Sequence, residues 1–402
     1  MFYYKYKVKC LFSLLDLPGF EKITNLPDDL NELYYIYKSN INKSKRSYCL
    51  SHVQDIFNGE ESLDYLKLKH DCGNVPEIIL DLIEKRRVKA VNIQYDSFEE
   101  CLCMNELTKK KVNILALGDV GSTLLTGLKL LGGNIVSSIG IYDRSPEKAA
   151  RWEYEMNQTS YPLDFNLLPE VNVIEKHELF LCDMFVFCAS KGVPPVGKEN
   201  VDVRMVQFEE NAKLIKEYAQ IAAEKNFKGI FAVVSDPVDP LCATVLKESM
   251  GHLAPEQIKG YGLGVMNARA AYYAKKDTRF SSFLNEGRSF GPHGNDLVIA
   301  NSIENYDDLL SKELTKLAVV ANLEVRKTGF KPYIAPALSS GAISIISTLE
   351  GKWHYSSNYL GGVFMGAKNR NLPSGLEIEK INMPEELYER LEGTYNKLKE
   401  FS

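Results

Sequence analysis

Val112-Asn-Ile-Leu-Ala-Leu-Gly118-Asp-Val-Gly121-Ser-Thr123 is the stretch that decides the fold. Val112 to Leu117 is short, apolar and rich in branched residues, as a strand buried on both faces should be, and Ser122 to Leu131 continues as a helix. A helix therefore starts at the glycines. Its unpaired N–H groups and its dipole favour a pyrophosphate, provided no side chain blocks the backbone at Gly118 and Gly121. The fingerprint G-x-G-x-x-G would span 116–121, but Ala116 stands at its first position. The plain alternative is a strand-turn-helix that binds nothing. The next strand, Ser138 to Tyr142, ends in Asp143, 25 residues after Gly118, where a carboxylate suits the ribose hydroxyls of a dinucleotide. Arg144 follows at once and would instead suit a 2′-phosphate, so NAD is favoured over NADP only mildly.

Outward from this turn, strands are expected at 171–174, 183–188 and 229–234, with a helix over 206–224. Alternating strands and helices describe a parallel, doubly wound sheet. After Ser235-Asp-Pro-Val-Asp239 the pattern turns helical, around 240–250, 267–276, 306–326 and 339–349, as for a second domain on the sheet's carboxyl edge. The expected fold is α/β: a Rossmann-type domain over 111–239, an α+β catalytic domain over 240–402, and a small α+β module over 1–110. Within that module residues 2–12 alternate as one half-buried strand, 75–86 reads as a helix and 88–95 as a strand. No catalytic signature lies there. A structural or oligomerising appendage is weighed against a regulatory, ligand-binding one.

Composition bounds the function. A chain of 402 residues, 45% hydrophobic, is long enough for two or three cored domains. A net charge of −5 without an arginine-rich stripe argues against a nucleic-acid partner. Eight cysteines show no C-x-x-C pair, and Cys182, Cys188 and Cys242 lie in apolar segments as small buried thiols, which points to a reducing cytoplasm. No apolar run reaches the roughly 18 residues of a membrane span, and the lysines of Tyr4 to Lys9 interrupt any signal-peptide centre. Metal-ligand spacing and the Gly-x-Ser-x-Gly elbow are both missing, so no metal and no serine nucleophile is expected.

Gly118-Asp-Val-Gly121, Tyr142-Asp143, Val234-Ser-Asp-Pro-Val-Asp239, Asn267-Ala-Arg269 and Gly291-Pro-His-Gly294 occur in the order and approximate spacing of one family. The chain resembles the lactate/malate dehydrogenases over residues 110–370, the N-terminal module excluded. The resemblance implies an NAD-dependent enzyme, a homodimer or homotetramer, that interconverts a small 2-hydroxy acid and its 2-oxo acid. It makes His293, in its Gly-x-His-Gly turn, the acid and base for the carbonyl oxygen, a task suited to a group titrating near neutrality. Arg269 becomes the planar clamp on the substrate carboxylate. Arg204, which opens an Arg-(x)6-Asn pattern ending at Asn211, becomes a second substrate contact that polarises the carbonyl as the loop 190–202 closes. Gly118, Asp119, Val120, Gly121, Asp143, Arg144, Ala189 and Ser235 would line the cofactor.

Two departures stand out. The family aspartate three residues before Arg269 is Met266 here, and the family asparagine before Pro-Val-Asp is Asp236. One acid is lost and one gained. Asp236 is therefore expected to replace the missing partner of His293, or to pair with a substrate amine. The alternative is drift in a relative that binds a dinucleotide without turnover, as a sensor or scaffold.

Overall fold

Two large sheets organise the chain in the computed structural model, which describes residues 1–70, 73–191, 202–294 and 296–401, with backbone alone at 202–206 and 401. The first sheet holds β1 (Phe2–Tyr6), β2 (Lys9–Ser13), β3 (Glu21–Ile23), β4 (Leu33–Tyr37), β5 (Ser47–Cys49) and β6 (Val88–Asn92), in the order β3-β1-β2-β4-β6-β5. β2, β4 and β6 run parallel; the other pairings are antiparallel. Helices α1 (Gln54–Phe57) and α2 (Glu77–Glu84) complete the module.

The single strand expected over 2–12 is corrected to a hairpin, turning at Lys7 (φ 55°) with Val8 87% exposed. Tyr6 faces Lys9 across the two-residue turn, so the inward phase flips. Tyr4 and Leu11 pack on one face of the sheet, while Phe12 packs on the other. Because both faces are buried, alternation runs on through the turn and hides it.

The second sheet contains β7 (Lys110–Leu115), then α3 (Asp119–Leu131), β8 (Val136–Tyr142), α4 (Pro146–Asn157), β9 (Glu170–Val173), β10 (Met184–Phe187), α5 (Asp202–Glu224), β11 (Ile230–Val233), α6 (Val238–Glu248) and β12 (Ile258–Gly260). Spatially the parallel strands run β9-β8-β7-β10-β11-β12. This is the 3-2-1-4-5-6 order of a dinucleotide-binding sheet. The parallel run thus extends past residue 239, where the sequence places its end, to include β12.

Beyond it come α7 (Leu263–Ala274), α8 (Phe283–Glu286), a two-stranded ribbon of β13 (Arg288–Phe290) and β14 (Val298–Ala300), and α9 (Asp308–Lys327). A π-helical run, Pro336–Ile343, leads into α10 (Ser344–Leu349). It crosses α3 so closely that a Cβ at Gly127 would lie 2.5 Å from Ala342. β15 (His354–Leu360), β16 (Val363–Leu372) and β17 (Gly375–Ile378) then extend the large sheet antiparallel from β12, and α11 (Glu385–Leu398) closes the chain.

The cores explain the layering. Leu124, Leu125 and Leu128 of α3 cover one face of the parallel strands, and Ile215, Ala219, Leu241 and Val245 of α5 and α6 cover the other. The N-terminal module is no detached appendage. Phe12, Leu33, Ile79 and Leu82 share one continuous core with Met365, Leu376, Leu387 and Leu391 from β16, β17 and α11. Each such fully buried leucine contributes about 2 kcal/mol of apolar burial.

Candidate active site

The glycine turn is shaped for a ligand approaching the backbone. Gly118 caps α3, and a Cβ added there would meet nothing within 4 Å. Gly121 has the opposite role: its Cβ would lie 2.0 Å from the Ala116 carbonyl oxygen, so only glycine lets helix and strand meet this closely. Ala116 itself holds φ +75°, a left-handed conformation that costs an alanine about 1–2 kcal/mol. Free N–H groups at the start of a 13-residue helix, with open space in front, fit a pyrophosphate.

Asp143 ends β8 beside this turn. Its carboxylate accepts from Leu117 N–H (2.8 Å) and Ser145 N–H (3.0 Å), with Lys148 Nζ at 3.3 Å. Burial works to raise its pKa, but those hydrogen bonds and the lysine outweigh burial and hold the carboxyl below its ordinary value. Asp143 thus locks the glycine turn as well as ending the strand at which a ribose would lie. Of the remaining expected cofactor contacts, Val120 packs half-buried on the core, and Arg144 is exposed. Asp119 pairs with Lys331 at 3.2 Å, and Ser235 donates to the Ala189 carbonyl at 2.7 Å, tying the ends of β10 and β11 together.

Across the carboxyl edge of the sheet, His293 and Asp236 meet. His293 Nδ1 lies 2.8 Å from Asp236 Oδ1, and no described residue hydrogen-bonds Nε2. The histidine turn is held by Gly291 (φ +86°) and Gly294 (φ +151°), and Gly262 passes so near that a Cβ there would sit 2.7 Å from His293 Cβ. Met266, 1% exposed, points elsewhere: its Sδ lies 3.3 Å from Arg269 Nη1. Arg269 forms no ion pair with a carboxylate among the described residues, although Asp236 is near enough to favour its charge. Burial pulls its pKa down, which leaves a partly desolvated guanidinium near Asp236.

Arg204 lies on α5, in the part described by backbone alone, and most of the loop 190–202 falls outside the described residues. Two polar residues in the site carry more than the sequence reading gave them. Asn211, wholly buried, donates to the Asp236 carbonyl at 2.8 Å and accepts from Lys191 N–H at 2.7 Å, joining Lys191 to the segment after β11. Asp239, 4% exposed, has its carboxyl pushed up to about 6 by burial, against the opposing pull of the Ser357 hydroxyl and His293. The signal for Asn211 was its place at the end of the Arg-(x)6-Asn pattern. Asp239 was visible only as the last letter of Pro-Val-Asp.

Residues 110–260 match the family model described as lactate/malate dehydrogenase, NAD binding domain. An L-lactate dehydrogenase of Mesomycoplasma hyopneumoniae is 24% identical over 192 residues, 48% of this chain and 58% of that protein. A malate dehydrogenase of Aliarcobacter butzleri is 24% identical over 250 residues, 59% of this chain and 76% of that one. The chain thus spans less than two thirds of the length of the first of these relatives. Among solved structures, a lactate dehydrogenase from a deep-sea metagenome library superimposes with TM-score 0.59 at 18% identity, over 73% of this chain and 98% of that one. The malate dehydrogenase from Archaeoglobus fulgidus in complex with NADH does so with TM-score 0.59 at 19% identity, over 72% and 98%. These structures share the fold. Residues 110–260 thus match the NAD binding domain of the lactate/malate dehydrogenases, and the chain shares its fold with solved members of that family over about 73% of its length.

Proposed function

We propose that this chain is an NAD-dependent oxidoreductase that interconverts a small 2-hydroxy acid and its 2-oxo acid. The observation that carries this reading is the His293–Asp236 pair, 2.8 Å apart, with Arg269, which forms no ion pair among the described residues, near Asp236. Bound NADH would supply a hydride to the carbonyl carbon. His293 Nε2 gives its proton to the carbonyl oxygen, while Asp236 accepts from Nδ1–H, fixes the tautomer and stabilises the imidazolium. Arg269 grips the substrate carboxylate with paired N–H donors and offsets the charge of Asp236. Arg204, after the family resemblance, polarises the carbonyl. In the reverse direction His293 takes the proton from the hydroxyl. The proposal includes a cytoplasmic homodimer or homotetramer, after the family resemblance.

Gly118 leaves the α3 N-terminus open to the pyrophosphate, Gly121 lets α3 pack close to the strand before it, and Asp143 would face the ribose. The test follows NADH absorbance over a panel of 2-oxo acids, with NADH affinity measured separately and His293→Ala as the control. Turnover that His293→Ala abolishes supports the reading. NADH binding without turnover on any member would favour the non-catalytic sensor.

A further inference from the structure

The N-terminal module contains a cavity of about 620 Å³, remote in sequence from every residue of the dinucleotide cleft. It opens at the carboxyl ends of β2 and β4, beside Leu14, Leu15 and Tyr37, which is the edge where parallel sheets bind ligands. Its volume lies in the ordinary range for a small-metabolite site, about 300–1,000 Å³.

Four tyrosines form its wall. Tyr35 and Tyr37 stack with centroids 5.9 Å apart, Tyr37 meets Tyr48 edge-on at 5.9 Å, and Tyr48 meets Tyr65 edge-on at 5.8 Å. The hydroxyls of Tyr35 and Tyr37 are used within the protein, by the carbonyls of Ile56 and Lys45. Those of Tyr48 and Tyr65 have no hydrogen-bond partner among the described residues, although each ring is only 5–6% exposed. Both tyrosines line the cavity, where whatever fills the space can bond their hydroxyls.

The charges there are already balanced. Buried Lys45 pairs with Glu61, and buried Lys380 pairs with Asp55 at 3.0 Å. Their ammonium groups lie over the Tyr65 ring at 5.0 and 3.8 Å, and Lys45 also lies over Tyr48. The cation–π positions of the inner rings are therefore taken, and a further cation would meet two lysines at close range. The rest of the lining mixes Glu60 and Asp64 with Lys38 and Lys69, so neither sign of charge is favoured. A flat ring without net charge gains stacking worth about 0.5–1.5 kcal/mol per ring contact.

We propose that this cavity is a second ligand site, for a small molecule without net charge that carries an aromatic or heteroaromatic ring and hydrogen-bonding groups. The site is tied to β15 and the turn that follows it. Lys45 Nζ also donates to the Tyr359 carbonyl of β15 at 3.3 Å, and the Glu61 carbonyl packs against the turn at Gly361.

The test is calorimetric titration of the full chain with L-tryptophan and, separately, thymine. The variants are Tyr48→Phe and Tyr65→Phe, which keep the rings and remove the hydroxyls, and Asp143→Ala, which alters the dinucleotide cleft instead. Saturable binding of either probe, weakened at least fivefold by a tyrosine variant and unchanged by Asp143→Ala, supports the site. The probe that binds identifies a zwitterionic or an uncharged ring. Failure of both probes at millimolar concentration would overturn the proposal, as would binding lost only in Asp143→Ala or tighter binding of tetramethylammonium. None of these outcomes depends on turnover, so the site stands or falls apart from the proposed activity.

Discussion

The imidazole Nδ1 of His293 and the carboxylate of Asp236 are 2.8 Å apart, although 57 residues separate them in the chain. Asp236→Asn keeps the shape but removes the charge that fixes the tautomer. The comparable change in a serine-protease triad costs about 10⁴ in kcat. Half of the Asp236 side chain is exposed, so solvent screens the pair and a smaller loss, about 10²-fold in kcat, is expected here. Steady-state kinetics check it; NADH affinity should not change.

Arg269 should appear in substrate binding more than in cofactor binding. Arg269→Ala is expected to lower kcat/KM for the 2-oxo acid by about 10²–10³, the loss of a bidentate charged contact, with Arg269→Lys recovering only part of it. Equal activity of the lysine variant and the wild type would remove the clamp from the account.

Ala116 offers a stability test. Its φ of +75° strains an alanine, and glycine relieves that strain at some cost in unfolded-chain entropy. Ala116→Gly should stabilise the protein by about 0.5–1 kcal/mol, read from the urea midpoint. Destabilisation would show that the alanine methyl packs better than the geometry implies.

His354 predicts an acid limit. It is buried, with Nδ1 facing the Lys352 carbonyl and Nε2 facing the hydroxyls of Thr348 and Ser356. Burial, helped by nearby Lys259, lowers its pKa from 6.5 to about 3. The unfolded chain therefore binds a proton that the folded chain refuses in that window, and folding stability falls as pH drops from 6.5 towards 3. The slope from this group is about 1.4 kcal/mol per pH unit. Because Asp239 shifts the opposite way over part of the same range, the measurement is a difference: urea melts of wild type against His354→Gln, whose pH dependence should be shallower.

The parallel strands were legible because they are apolar runs between turn residues, and five expected strands appear within two residues of their places. β12 was not, since Lys259 sits at its centre. That lysine is wholly buried between Asn358 and Asn369, and a charge inside a three-residue strand breaks the apolar signal. The joining of the module to α11 was invisible for another reason: residues 12 and 387 meet in one core, and such distant pairings leave no local period. In the site, glycine spacing made His293 and the α3 turn readable. The exchange of Met266 for Asp236 was readable as chemistry, but only the fold could bring the acid to the ring.

The most direct test separates the charge of Asp236 from its shape. NADH oxidation with the best 2-oxo acid of the panel is measured for wild type, Asp236→Asn and Asp236→Glu. The account predicts a loss of about 10²-fold in kcat for the amide and a smaller loss for the glutamate, which keeps a carboxylate to accept from His293 Nδ1. Full activity in Asp236→Asn would contradict it, because His293 would then work without the carboxylate that the fold sets against it.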